Sequence, residues 1–189
     1  TLSKSLGGYG LPFAVVLIKP ELDQWKPGEH NGTFRGNNFA FITAKAAIDN
    51  YWTDDRFSLD ILRKGRYVSK RLEAIVQTYG DGNFTTRGRG MFQGINCVSG
   101  ELAGKITQRA FTKGMIIETS GADDQVVKLL CPLVISDEDL ARGIDILEAS
   151  IREICAGSDS VPEEVDYFDD ERNILDDEQE ILEDQRQIA

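Results

Sequence analysis

The chain is poor in the residues that build metal centres, disulfide frames and membrane spans. It holds a single histidine, His30. One imidazole cannot build a multi-histidine metal site, and a hydrolase triad would have to use His30 as its base. Its three cysteines, Cys97, Cys131 and Cys155, are far apart, and no CxxC spacing joins them. That pattern argues for reduced thiols in a cytoplasmic protein and against a disulfide frame or zinc site. Long apolar runs are missing too. The longest, Leu11–Ile18, is too short to span a bilayer, so no membrane partner is expected. No basic, apolar, small-residue leader opens the chain. An initiator methionine is also lacking, so the expectation is that the true start precedes Thr1.

A basic surplus is absent as well. The net charge is −11. From Asp159 onward there are 13 acidic and 2 basic residues, which leaves the body of the chain neutral. Nucleic acid is therefore not expected as a partner, since nothing basic is left over to meet phosphates. The tail itself reads as a solubilising acidic segment. Ile174, Leu175, Ile181, Leu182 and Ile188 would also suit a short amphipathic helix.

What is present is an ordinary globular composition, 41% hydrophobic and 28% charged over 189 residues. Phe13–Ile18 reads as a buried strand. After a loop punctuated by Pro27, Gly28 and Gly32, Asn37 or Asn38 can cap a helix to about Trp52. Thr53-Asp54-Asp55 breaks it and starts a longer helix, about Phe57 to Tyr79. Its Ile61, Val68, Leu72, Ile75 and Tyr79 form a stripe at helical period. Arg63, Lys64, Arg66, Lys70 and Arg71 run along the same helix, and a solvated face is the preferred reading. Phe84–Gly90 and Met91–Asn96 read as two strands or one bent one. Further on come a helix over Gly100–Lys113, strands over Met115–Thr119 and Gln125–Leu130, and a helix to about Cys155 opened by the capping box Ser136-Asp137-Glu138-Asp139. This order predicts an α+β sandwich with an antiparallel sheet.

The candidate chemistry sits at the start, in Ser3-Lys4-Ser5-Leu6-Gly7-Gly8-Tyr9-Gly10-Leu11-Pro12. A lysine between serines is usually a solvated charge. Set beside a glycine turn and a buried strand, Lys4 can be desolvated, which favours the neutral amine and makes it a nucleophile toward carbonyls. Thr33 offers a hydroxyl just ahead of a helix, an arrangement suited to an anion. A plain turn or cap residue is the competing reading. Lys128 lies on a strand, where an exposed lysine is common.

These segments, with His30-Asn31-Gly32-Thr33-Phe34-Arg35-Gly36-Asn37-Asn38, resemble the class III aminotransferases, pyridoxal 5'-phosphate enzymes of the aspartate aminotransferase fold. The resemblance covers about residues 1–155. It implies an α/β fold: the C-terminal portion of the fold-type I architecture, with residues 1–53 ending the large cofactor-binding domain. Residues 54–157 would be the small α+β domain with its antiparallel sheet, and 158–189 the acidic tail. It further implies that Lys4 joins the cofactor reversibly and later carries a proton for the substrate. Thr33 would reach the cofactor phosphate of a partner subunit in a homodimer. Relatives carry an arginine at the place of Lys128 for a substrate carboxylate, so a point charge replaces a bidentate fork here. Arg87 and Arg89 belong to a strand motif of the family and read as structural.

The string Ile18–Gly36 narrows the implied reaction. It resembles the family's branch in ectoine synthesis, which implies transfer of the amino group of L-glutamate to L-aspartate 4-semialdehyde, giving L-2,4-diaminobutyrate and 2-oxoglutarate. Another ω-amino or ornithine-type transaminase stays open, as does a non-catalytic module whose acidic tail binds a partner. The glycine-rich phosphate loop, the ring stacked on the cofactor and the acid facing its pyridine nitrogen precede the lysine in the family. The chain alone is therefore expected to be inactive.

Overall fold

The computed structural model describes residues 1–155, without Tyr9, Phe34 and the side chain of Ser5. The linker, the acidic tail and the helix considered for it lie outside the described residues. The chain divides into two compact units, Thr1–Ser58 and Leu59 onward.

In the first unit Leu2 and Val15 form an antiparallel bridge, N–H to O=C at 2.7 and 2.9 Å. Between them lies a 3-10 turn, Lys4–Gly7. The buried strand expected over Phe13–Ile18 does not form. Only Val15 pairs, and Val16, Leu17 and Ile18 are 58%, 77% and 39% exposed. An apolar run makes a strand only where neighbouring backbone accepts its hydrogen bonds, and among the described residues Leu2 alone does so here.

Helix α1, Asn38–Tyr51, starts where Asn37 Oδ1 accepts from the backbone N–H of Phe39 and Ala40 at 3.1 and 3.3 Å. This is the side-chain cap that the sequence suggested. Ala40 and Ala44 form its buried side. Among the described residues the helix is packed on one side only, because Phe39 and Ile42 stand 75% and 64% exposed.

Helix α2, Arg56–Tyr79, begins after Asp54, whose Oδ1 accepts from Arg56 N at 3.0 Å. Its body belongs to the second unit, where Val68, Leu72, Ile75 and Tyr79 are buried as the 3.6 period requires. Strands β1 (Phe84–Arg89), β2 (Phe92–Cys97), β3 (Glu118–Ser120) and β4 (Val126–Leu129) make one antiparallel sheet in the order β1-β2-β4-β3. The strand expected from Met115 is reduced to β3, and Ile116 is exposed. Helices α3 (Gly100–Thr112) and α4 (Asp137–Cys155) are capped by Ser99 Oγ, accepting from Leu102 N at 3.2 Å, and by Ser136 Oγ, accepting from Asp139 N at 3.0 Å.

One face of the sheet carries Ile95, Cys97, Val127 and Leu129, which pack with Leu72 and Ile75 of α2, Ile106 of α3 and Ile144, Leu147 and Ile151 of α4. The other sheet face carries the paired row Arg87, Gly94, Lys128 and Glu118. The basic run of α2 is no simple solvated face. Lys64 is buried on Asp60 at 2.6 Å, and Arg63 reaches Asp137 at 2.7 Å. Arg71 meets Asp145 at 2.6 Å and Glu148 at 3.1 Å. These α4 carboxylates lie some 74 residues or more away in sequence, so the pairing is invisible to local reading. They fasten α2 to α4.

Candidate functional site

Lys4 opens the 3-10 turn with φ +60°, a left-handed conformation that a side chain with a Cβ adopts at a cost of about 1–2 kcal/mol. Two fixtures hold it there. The Leu2–Val15 bridge closes the loop on one side. On the other, Gly8 presses onto α1, so that a Cβ at Gly8 would lie 2.8 Å from the Thr43 carbonyl oxygen and 3.0 Å from Ala47 Cβ. Gly8 itself has φ +71°, which glycine adopts freely. Phe13 and Phe41 brace the same loop edge to face, with ring centroids 5.1 Å apart. The small residues of α1 thus serve to let the lysine turn approach. Lys4 is exposed and its side chain makes no hydrogen bond or ion pair among the described residues, so its amine is open to a carbonyl. The desolvation expected for it is not present within this chain's own residues.

Thr33 lies in a loop folded around His30. The Arg35 guanidinium donates to the His30 carbonyl at 2.8 Å and meets its ring Nδ1 at 2.6 Å. Trp25 lies against the imidazole with centroids 4.9 Å apart, and Arg35 N closes a turn onto the Gly32 carbonyl at 3.1 Å. His30 therefore has a structural place and no partner for acid–base chemistry among the described residues. Thr33 is exposed at the outside of this turn, with Gly36 at φ +74° between it and α1. Asn37 already occupies two N–H donors of α1.

Lys4 and Thr33 belong to the first unit and Lys128 to the second. Lys128 stands on β4 on the open face of the sheet, its side chain 19% exposed, with Nζ 3.0 Å from Glu118 Oε2 on β3. A cleft of about 550 Å³ lies over this face, lined by Arg87, Phe92, Gly94, Ser120, Gln125 and Lys128 among others. Sequence reading took Arg87 as structural; in the sheet it falls opposite Gly94, which in turn falls opposite Lys128. Gln93, adjacent to that row, is buried. Its amide donates to the Gly65 carbonyl at 2.8 Å and accepts from Ser69 Oγ at 2.8 Å, so it holds the sheet to α2. No helix among the described residues is long and apolar enough to cross a membrane.

Comparison with known proteins adds the following. The family model described as aminotransferase class III matches residues 1–151. A diaminobutyrate–2-oxoglutarate transaminase of Halomonas elongata is 56% identical over 155 residues, covering 81% of this chain and 37% of that protein. The enzyme of the same name from Vibrio parahaemolyticus is 53% identical over 156 residues, covering 82% of this chain and 37% of that protein. The crystal structure of an acetylornithine aminotransferase from Elizabethkingia anophelis superposes with TM-score 0.67 at 27% identity, over 79% of this chain and 39% of that one. The chain thus spans little more than a third of the length of the relatives it matches.

Proposed function

The chain belongs to the class III aminotransferases, and from that premise we propose that it forms part of an enzyme that moves the amino group of L-glutamate to L-aspartate 4-semialdehyde, yielding L-2,4-diaminobutyrate and 2-oxoglutarate in ectoine synthesis. Two observations support the narrower reading: the names of the relatives at 56% and 53% identity, and the loop sequence Ile18–Gly36. Residues 1–53 would close the large cofactor-binding domain, 54–157 would be the small domain, and 158–189 an acidic tail. The complete protein is proposed to be a cytoplasmic homodimer.

The class III enzymes use pyridoxal phosphate. The groups present fit it at two points: an unpaired amine on a fixed turn at Lys4, and an exposed hydroxyl at Thr33. When bound, that cofactor supplies an electron sink for a carbanion. Lys4 would hold its carbonyl carbon through Nζ, since only an amine makes such a bond reversibly. Once released, Lys4 Nζ would then take the proton from the carbon bearing the amino group and return it to the adjoining carbon. Thr33 would donate its hydroxyl to the phosphate of a neighbouring subunit's cofactor. Lys128 would face a substrate carboxylate as a point charge, with Glu118 as its resting partner.

The seat of Lys4 carries this reading, because the bridge, Gly8 and α1 together fix one amine in a left-handed backbone conformation. The 189-residue chain alone is expected to lack activity. The test uses the complete protein, with L-glutamate as donor and acceptors offered in competition. L-Aspartate 4-semialdehyde should be preferred, and Lys4→Ala should remove turnover. Preference for N-acetylglutamate 5-semialdehyde or glutamate 5-semialdehyde would assign the protein to the ornithine-type branch instead.

A further inference from the structure

The open face of the sheet carries a row of four register partners: Arg87 on β1, Gly94 on β2, Lys128 on β4 and Glu118 on β3. In an antiparallel ladder, directly paired residues point to the same side. Three of the four are charged. The one between the two cations is glycine, so no side chain separates them. Arg87 and Lys128 are two strands apart, about 10 Å between backbones at the usual strand spacing. That gap is too wide for direct contact and suits two long side chains converging on one anion.

The charges around the gap are unequally committed. Lys128 uses one of its three donors on Glu118 at 3.0 Å, and Glu118 is itself 74% exposed at the sheet edge. The Arg87 side chain makes no hydrogen bond or ion pair among the described residues. Both line the same cleft. A Cβ at Gly94 would run into the Val127 carbonyl and lie 3.2 Å from Lys128 Cα, so the floor of the row admits glycine alone without backbone movement. Gly88, next to Arg87, is likewise set at φ +111°, which fixes the turn of β1 beside the cleft.

We infer that Arg87 and Lys128 form a two-cation subsite over Gly94 for a carboxylate of the substrate, with Arg87 supplying the planar fork that Lys128 lacks. The inference rests on the proposed role of Lys128 and adds Arg87 as a specificity-determining residue. Glutamate and 2-oxoglutarate each carry a second carboxylate, which a simple amine or aldehyde lacks. A fork on Arg87 makes the paired, charge-assisted bonds that a lysine cannot make alone. Glu118 competes for Lys128 and weakens the site until an anion displaces it.

The test titrates the 189-residue chain with glutarate at low ionic strength, followed by the backbone amide resonances of Gly94 and Lys128. Saturable, salt-sensitive shifts are expected at those amides. Arg87→Gln and Lys128→Gln should each weaken binding at least ten-fold, while Lys105→Gln on α3 should not change it. Arg87→Lys should restore only part of the affinity, and Glu118→Gln should tighten it. Undiminished glutarate binding by Arg87→Gln, with the rest of the amide spectrum intact, would overturn the inference. So would shifts spread evenly over all basic surfaces. Failure of amino transfer in the complete protein would strike at the transaminase reading and leave this titration unaffected, so the two can fail separately.

Discussion

Gly65 on α2 and Gly90 in the β1–β2 turn meet backbone to backbone: a Cβ at Gly65 would lie 2.9 Å from both Cα and the carbonyl carbon of Gly90. Gln93 seals the contact by donating its amide to the carbonyl oxygens of both glycines. The turn therefore cannot retreat without breaking a buried hydrogen bond. Gly65→Val is expected to destabilise the chain by about 2–3 kcal/mol through overpacking. A denaturant midpoint lowered with an unchanged slope is the signature. An unchanged midpoint would mean that the turn yields freely.

Asp60 sets an acid limit on the α2–α4 junction. Partial burial raises its carboxyl, but the hydrogen bonds from Lys64 and Arg63 outweigh burial and hold it below the ordinary carboxylate range. A depressed folded value means that the unfolded chain binds more protons in this window. Its contribution is thus complete above about pH 4–5 and lost as the pH falls through the folded value. Asp60→Asn is expected to cost about 1–3 kcal/mol at neutral pH, chiefly by leaving the buried Lys64 ammonium without its carboxylate. It should also flatten the decline of stability between pH 5 and 3. Urea unfolding across that range distinguishes the two chains, and parallel curves would remove Asp60 from this role.

The elements were legible where local chemistry decides them. Asn37 and Ser136 cap helices because their side-chain oxygens meet N–H groups two or three residues away. The stripe Val68–Leu72–Ile75–Tyr79 is buried because period alone selects the face. Illegible features were those settled by distant partners. Arg63 and Arg71 read as solvated until α4 brought Asp137 and Asp145 against them. The Phe13–Ile18 run read as a buried strand because apolar sequence says nothing about which backbone is at hand to pair with it. Lys4 itself was visible only through the company of Gly7, Gly8 and the loop around Thr33. Its left-handed φ has no sequence signal in a lysine.

The three cysteines should separate by reactivity. Burial first, and then a thiolate at Cys155, push Cys97 up to about 11, and its thiol is 2% exposed in the core. Cys155, at the end of α4, is exposed, and Cys131 is half-buried. Thiolate fraction and access together set the rate of alkylation. Iodoacetamide at pH 8 should therefore modify Cys155 first and Cys131 more slowly. Cys97 should react only at the rate of unfolding, and peptide mass mapping reads the order. Rapid labelling of Cys97 in the folded chain would contradict the packing of β2 against the helices.

Thr33 offers the sharpest check on the proposed phosphate contact, because the hydroxyl can be removed or kept independently of the loop. The loop around it is fastened by Arg35 on His30 and by the Gly32–Arg35 turn, neither of which uses the Thr33 side chain. Thr33→Val preserves shape and deletes the donor, while Thr33→Ser keeps the donor. A hydrogen bond to a charged group is worth about 1.5–3 kcal/mol, so the valine variant of the complete protein should bind pyridoxal phosphate about 10- to 100-fold more weakly. The serine variant should stay within about three-fold of the parent, less than 1 kcal/mol. Equilibrium dialysis of the cofactor gives both values without any turnover assay. Equal loss in serine and valine would point to the methyl group and to packing. No loss in either would place the phosphate elsewhere, leaving Lys4 as the single proposed point of contact with the cofactor.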